Sequence, residues 1–441
     1  MAWIIYTLGH CMTVSIRKSL CADSLLLDVF HCFQKIPDPR TLSDRGISFT
    51  DVLMSGLAIF GLKFPSLLKY DQHREILDQN LLSLYHINKP PSDSYLRERL
   101  DELDPQLLRP TFKKLFAKIQ RGKCLENFEF LDGFYLLSLD GTGEFSSSNV
   151  CCRQCCKKEH KNGSVTYYHQ MLGACIVHPD QKNVIPLCPE PIQNGDGTEK
   201  NDCERNASKR FIDHFRREHP HLKVIVLGDG IASNAPYIRL LEERKMKYLL
   251  GAKPGDHKAL FATLETSEET QYYEILDDKG FFHQFRFLND VALNKSNPDV
   301  RVNILEYMQT DSKGKETMFS WVTNIHITKN NAFALMKGGR ARWKIENETF
   351  NTLKNLGYNL EHNYGHGKKY LSTILCLLMI LAFFIDQIQG MSCNLFQAAK
   401  KQAASFQFLW EKLRVLFEFA KWSSWESLYR FIIERKQLDT S

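Results

Sequence analysis

Apolar residues recur at helical spacing in Phe49–Phe64 and again in Pro110–Lys123, with few prolines or glycines between residues 21 and 125. That pattern predicts a helical first part of the chain. The pattern changes after residue 134. Phe134–Leu139, Lys223–Leu227 and Tyr248–Leu250 are short apolar runs of buried-strand length, and Val165–Val177 is a longer β-prone run. Glu204–Glu218 and Asn234–Glu243 read as helices, the second with Ser233 available as its N-cap. Strand–helix–strand alternation of this kind predicts an α/β core around a central sheet. Tyr272–Leu276, Phe281–Phe287, Val302–Met308 and Met318–Ile325 are further β-type runs and predict a β-rich insertion. Helices are expected again over Gly339–Asn355 and Lys369–Ile388, and twice in the last forty residues. Leu371–Ile385 holds fifteen residues without a charge, shorter than a membrane span, and is expected to be a buried helix.

These patterns divide the chain into six parts. Residues 1–20 form a leader, 21–130 a helical region, and 131–255 the first part of the core. Residues 256–330 form the β-rich insertion, 331–390 the remaining core helices and 391–441 the C-terminal helices.

Composition narrows the class. Of 441 residues 43% are hydrophobic and 24% charged, as in a globular chain, and the net charge of +6 permits nucleic-acid binding without demanding it. Thirteen cysteines, an odd number without regular spacing, point to a reducing compartment and away from a disulfide scaffold. Met1–Leu8 is apolar, but Arg17 and Lys18 follow it, whereas a signal peptide puts positive charge first.

The candidate chemistry lies in acids. Two apolar runs end in an acid followed by glycine: Leu139-Asp140-Gly141 and Gly228-Asp229-Gly230. Carboxylates at the strand ends of an open sheet can share hard cations such as Mg²⁺; alternatively, each Asp-Gly simply starts a turn. A third acid comes from Gly339–Leu356. On a wheel of about 100° per residue with Glu346 at zero, Trp343, Phe350 and Leu353 fall on its side, and Glu348 points the opposite way. A carboxylate in the middle of an apolar stripe is costly unless it binds metal or is paired, here with Arg342 one turn earlier.

Leu-Asp-Gly-Thr at Leu139–Thr142, Gly-Asp-Gly with a following Ser at Gly228–Ser233, and Arg-Trp-x-Ile-Glu at Arg342–Glu346 together resemble the three catalytic blocks of bacterial insertion-sequence DDE transposases, most closely the IS-four-like group. The resemblance covers about residues 134–390. In that group's signature a Tyr precedes the Arg and a Lys follows the Glu; here Gly339 stands at the Tyr position and Leu353 at the Lys position, with Lys354 one place late.

The resemblance implies an RNase H-like catalytic core with a mixed sheet and metal-dependent cleavage and strand transfer on DNA. Two Mg²⁺ or Mn²⁺ ions would be held by Asp140, Asp229 and Glu346, with Arg342, Lys344 and Lys354 steadying phosphates. The implied partner is double-stranded DNA, both element ends and target, bound by a homodimer in the bacterial cytoplasm at the nucleoid, with no membrane. An RNase H-like nuclease without strand transfer, or a non-catalytic DNA-binding remnant of a mobile element, fits the same residues.

Three further features stand outside the triad. Cys152 and Cys155 form a C-x-x-C pair, half a zinc site that His160, His169, Cys188 or Cys203 could complete, or else reduced cysteines in a loop. Arg109, Lys113, Lys114, Lys118, Arg121 and Lys123 give an amphipathic basic helix that would lie on DNA phosphates or face solvent. Trp321 would either receive a flipped base or fill the core.

Overall fold

The computed structural model describes residues 18–40, 46–194, 202–278 and 280–434. The expected leader lies almost wholly outside these residues.

A mixed sheet of eleven strands forms the centre, in the order β2-β3-β1-β6-β7-β11-β10-β9-β8, with β4 and β5 also on β3. Its first half comprises β1 (Tyr135–Ser147), β2 (Cys156–Glu159), β3 (Val165–Val177), β4 (Ile185–Pro186), β5 (Glu190–Ile192), β6 (Val224–Gly228) and β7 (Lys247–Gly251). β1 runs antiparallel to β3 and parallel to β6, and β6 runs parallel to β7. The all-apolar β6 is buried at every position, as a strand covered on both faces must be.

The β-rich segment extends this same sheet. β8 (Gln271–Leu276), β9 (Phe282–Asn294), β10 (Asn297–Thr310) and β11 (Glu316–Thr323) follow in sequence, and β11 pairs antiparallel with β7, Val322 opposite Leu250. That pairing satisfies backbone groups on β7 that a sheet edge would leave open. Residues between Phe287 and Val302 form strand as well: β9 and β10 meet at a tight turn around Lys295-Ser296, with a bulge near Asp290, whose φ is +54°. Asn289, Asp290, Asn294 and Asp299 hide the alternation there.

Helices flank the sheet. The first six are α1 (Ala22–Phe33), α2 (Phe49–Gly61), α3 (Leu67–His73), α4 (Asp78–Tyr85), α5 (Asp93–Asp101) and α6 (Arg109–Arg121). Then come α7 (Glu204–Glu218), α8 (Ala235–Glu243), α9 (Lys258–Thr266), α10 (Lys329–Arg340) and α11 (Asn351–Asn355). Last are α12 (Leu371–Ser392), α13 (Asn394–Ala403), α14 (Phe406–Phe419) and α15 (Trp425–Glu434). The N-cap of α8 is Asn234, whose side chain accepts from Tyr237 N at 3.1 Å, and not Ser233, whose hydroxyl bonds to Gly230 O and His257.

The expected boundaries at 130 and 390 do not separate cores. Buried apolar residues from Leu20 to Ile432 belong to one cluster. α12 is long and apolar enough to cross a membrane by length and composition, but 83% of its most apolar window is buried against protein. It touches α2 so closely that a Cβ on Gly56 would stand 2.7 Å from Leu378 Cδ1. Its start is held by Asp101 of α5, whose carboxylate accepts the backbone N–H groups of Lys368, Lys369, Tyr370 and Leu371 at 2.9–3.0 Å.

Candidate active site

Asp140 on β1 and Asp229, one residue past the end of the parallel neighbour β6, occupy matching places. The β1–β6 ladder pairs Ser138 with Leu227, and each Asp follows two residues later. Side chains two residues apart point to the same face, so both acids continue one row at the point where β6 ends. Asp140 itself does not end a strand: β1 runs on to Ser147, carried past the Asp-Gly pair by β3, with Asp140 opposite Gly173. The Asp229 carboxylate closes the turn after β6 by accepting from Ile231 N at 3.0 Å and Ala232 N at 3.3 Å.

Both acids line one small cleft of about 160 Å³, shared with Glu204, Arg205, Ser208 and Lys209 from the start of α7. Glu204 was not singled out from the sequence. Its carboxylate leans over Gly141, where a Cβ would come within 3.0 Å of its side chain. Burial, and then the charge of Asp229, push its pKa upward. An acid in the first turn of an amphipathic helix usually answers the helix dipole, and so its signal was hidden.

Glu346 reaches the site through Arg342. The guanidinium donates to Asp140 Oδ2 at 3.1 Å and to Glu346 Oε1 at 2.8 Å, tying two carboxylates together. Ser138 Oγ donates to Arg342 O at 3.0 Å and fixes the segment to β1. Burial, and next the Glu346 carboxyl, push Asp140 up to about 6 against the pull of Arg342. The pairing of Arg342 with Glu346 and the gathering of the acids therefore coexist.

The backbone here is not a regular α-helix. A 3₁₀ turn at Ala341–Trp343 leads into a π turn at Ile345–Phe350. A 3₁₀ turn advances about 120° per residue and a π turn is wider than an α turn, so a fixed step of 100° does not hold. Ile345, Thr349, Phe350 and Leu353 are buried, whereas Trp343 is 51% exposed instead of packing on the sheet. Glu346 lies at the rim with a side chain 37% exposed, not at the centre of an apolar stripe. Glu348 lines a different groove with Lys182 and Asn183. Lys344 donates to Gln181 O at 2.7 Å instead of pairing with Glu348.

The remaining candidates divide. Lys354 pairs with Glu361 at 2.7 Å. Arg109 is buried and paired with Glu190 at 3.1 Å and Glu218 at 2.8 Å, so its charge is spent inside the fold and is not offered to phosphate. Lys118 is bound by Asp28 and Ser24 of α1, and Lys114 lies 3.6 Å from Asp28. Lys113 and Arg121 remain on the exposed face of α6. Trp321 is a core residue under α10, where a Cβ on Gly339 would be 2.4 Å from its indole. Any side chain at Gly339 would collide with that ring. Cys152 and Cys155 join His169 and His366, about five strand positions from Asp140, or roughly 16 Å.

A hard divalent cation fits the acids by chemistry, since Asp140, Asp229, Glu204 and Glu346 offer only oxygen. Asp140 and Glu346 already share one cation, the guanidinium. Among the described residues, the only group of three or more ligating side chains converging within 4.8 Å is the Cys/His cluster, so the triad is not closed around a single point.

No protein-family model matches the chain, and no curated protein matches it in sequence. Among solved structures it is similar to a piggyBac transposase in a synaptic complex with hairpin DNA, with 12% identity and a TM-score of 0.41 over 97% of this chain and 82% of that one. At that distance the function has to be argued from the site.

Proposed function

We propose that the chain is a DDE-type DNA transposase of the insertion-sequence kind, with an RNase H-like core and Asp140, Asp229 and Glu346 as its catalytic acids. The observation that carries this reading is the joint placement of Asp140 on β1 and Asp229 just past the end of the neighbouring parallel strand β6, with Glu346 joined to Asp140 through Arg342. The mixed sheet and the order of the three sequence blocks support it.

Bound at these acids, two Mg²⁺ or Mn²⁺ ions would activate the attacking oxygen and stabilise the leaving one. The chain's own part is to gather negative charge at a partly buried point and hold it against repulsion. Arg342 does so by bonding to both Asp140 and Glu346. Its planar guanidinium would also suit bidentate contact with a phosphate. Arg205 and Lys209 line the same cleft and would position the DNA backbone there.

The test uses a supercoiled plasmid carrying the coding region with its flanking DNA. Mg²⁺-dependent nicking at the flanks, joining of the freed ends to a second plasmid, and loss of both in Asp140→Asn support the reading. Nicking without joining leaves a nuclease, and neither reaction in a folded, DNA-binding protein leaves a remnant.

A further inference from the structure

Four soft or borderline donors meet away from the acids. Cys152 and Cys155 lie on the loop before β2, His169 on β3, and His366 between α11 and α12. Their ligand atoms all lie within 4.8 Å of one another. Cys152 Sγ and Cys155 Sγ are 3.8 Å apart, and both are 3.3 Å from His169 Nε2. Cys155 Sγ is 3.2 Å from His366 Nε2.

We propose that Cys152, Cys155, His169 and His366 form a structural zinc site. Zinc bound tetrahedrally at about 2.3 Å from sulfur and 2.0–2.1 Å from nitrogen sets sulfurs about 3.8 Å apart and sulfur about 3.5 Å from nitrogen. The observed separations follow that figure to within a few tenths of an ångström. A disulfide needs about 2.05 Å between sulfurs.

The surroundings fit a closed metal site. Cys152 N donates to Cys155 Sγ at 3.3 Å, as a backbone folded around a thiolate does. With Nε2 on the metal, His366 Nδ1–H donates to Gly367 O at 3.1 Å, the second contact that fixes a ligating imidazole. The Phe145 ring covers the site, its centroid 4.5 Å from that of His366 and 6.1 Å from that of His169. Cys155, His169 and His366 are buried, so the polar ring nitrogens turned into the cluster need a partner away from water, and a metal ion supplies one. Two sulfurs and two nitrogens select zinc over the hard cations of the acid site, and four protein ligands leave no open position for catalysis.

The other cysteine and histidine candidates have separate environments. His160 bonds to Thr166 at 2.8 Å, Cys188 Sγ lies 3.8 Å from Pro189 O, and Cys203 is exposed at the start of α7. His366 stands 211 residues beyond Cys155, out of reach of any spacing motif. The ion would clamp the far end of β3 to the segment that joins the Glu346 turn to α12.

The full-length protein, purified without chelator, should carry about one zinc per chain by elemental analysis. Cys152→Ser and His366→Gln should lose it, and His160→Gln should keep it. Because the first two variants could fail to fold, the wild-type chain refolded with Co²⁺ supplies a second reading. Tetrahedral cobalt with two thiolates should give intense visible bands and a near-ultraviolet thiolate charge-transfer band. Zinc retained in folded His366→Gln, octahedral cobalt spectra, or a metal-free chain that takes up no added Zn²⁺ and carries a Cys152–Cys155 disulfide would each overturn the proposal. None of these readouts depends on DNA cleavage.

Discussion

The Phe350 ring lies where a side chain on Gly173 would stand: a Cβ there would come within 2.6 Å of it. Gly173 is the β3 partner of Asp140, and Phe350 follows Glu346 by one turn. The bare strand position lets the segment bearing one acid settle beside the strand bearing another. Gly173→Ala should therefore lift the Glu346 turn, costing about 1–3 kcal/mol in stability as an overpacked contact does. Cleavage should fall further than DNA binding does. Thermal melts and cleavage rates on the same preparations check both effects.

The two glutamates two residues apart should separate cleanly. Glu346→Gln removes a charge that faces Arg342 and Asp140, and cleavage should fall by at least about a hundredfold with folding intact. Glu348→Gln alters a groove on the other side of the segment and should change the rate less than about twofold. A dead Glu348→Gln beside an active Glu346→Gln would exchange their roles.

Asp140 links the site to stability. A carboxyl raised to about 6 binds its proton in the folded state at pH values where the unfolded chain, near 4, has lost it. Unfolding free energy therefore falls as pH rises from about 4 to 6 and stays lower at neutral pH. Asp140→Asn should be more stable than wild type by about 1–2 kcal/mol at pH 7, and the two should converge near pH 4. Adding Mg²⁺ should raise the melting temperature of the wild type and not of the variant, because a ligand stabilises only the form that binds it.

The basic helix α6 should act through fewer residues than its charge suggests. Reversing Lys113 and Arg121 together should flatten the salt dependence of DNA binding by about 2 in slope, at about 0.9 per phosphate contact. Arg109→Ala should instead destabilise the fold by about 1–3 kcal/mol, because Glu218 loses its partner while Glu190 keeps Arg210 and His214. Binding titrations across a salt series and denaturant melts distinguish the two effects.

The strands, and the neighbouring places of Asp140 and Asp229, were legible because each lies in or beside an unbroken apolar run. Lys223–Leu227 announced β6, and Asp229 followed from it. Asp-Gly at 140–141 looked like a turn, since nothing local reveals that β3 carries β1 onward. The phase of Trp343 was unreadable for a different reason: 3₁₀ and π turns are chosen here by packing on the sheet, not by the period of the residues themselves. Glu204 and His366 were missed because each enters its cluster from a distant part of the chain.

The single Asp101 carboxylate that receives the first N–H groups of α12 has a consequence for how such a chain can change over time. A DNA-reading head joined by a linker can be exchanged by recombination while the engine behind it is left whole. Here the helices before residue 130 supply both the cap and the close-packed partner, at Gly56, of the long apolar helix α12. A crossover near residue 130 would leave α12 uncapped and its apolar flank bare. New surface properties of these helices would then have to arise by substitution, not by exchange of the whole region.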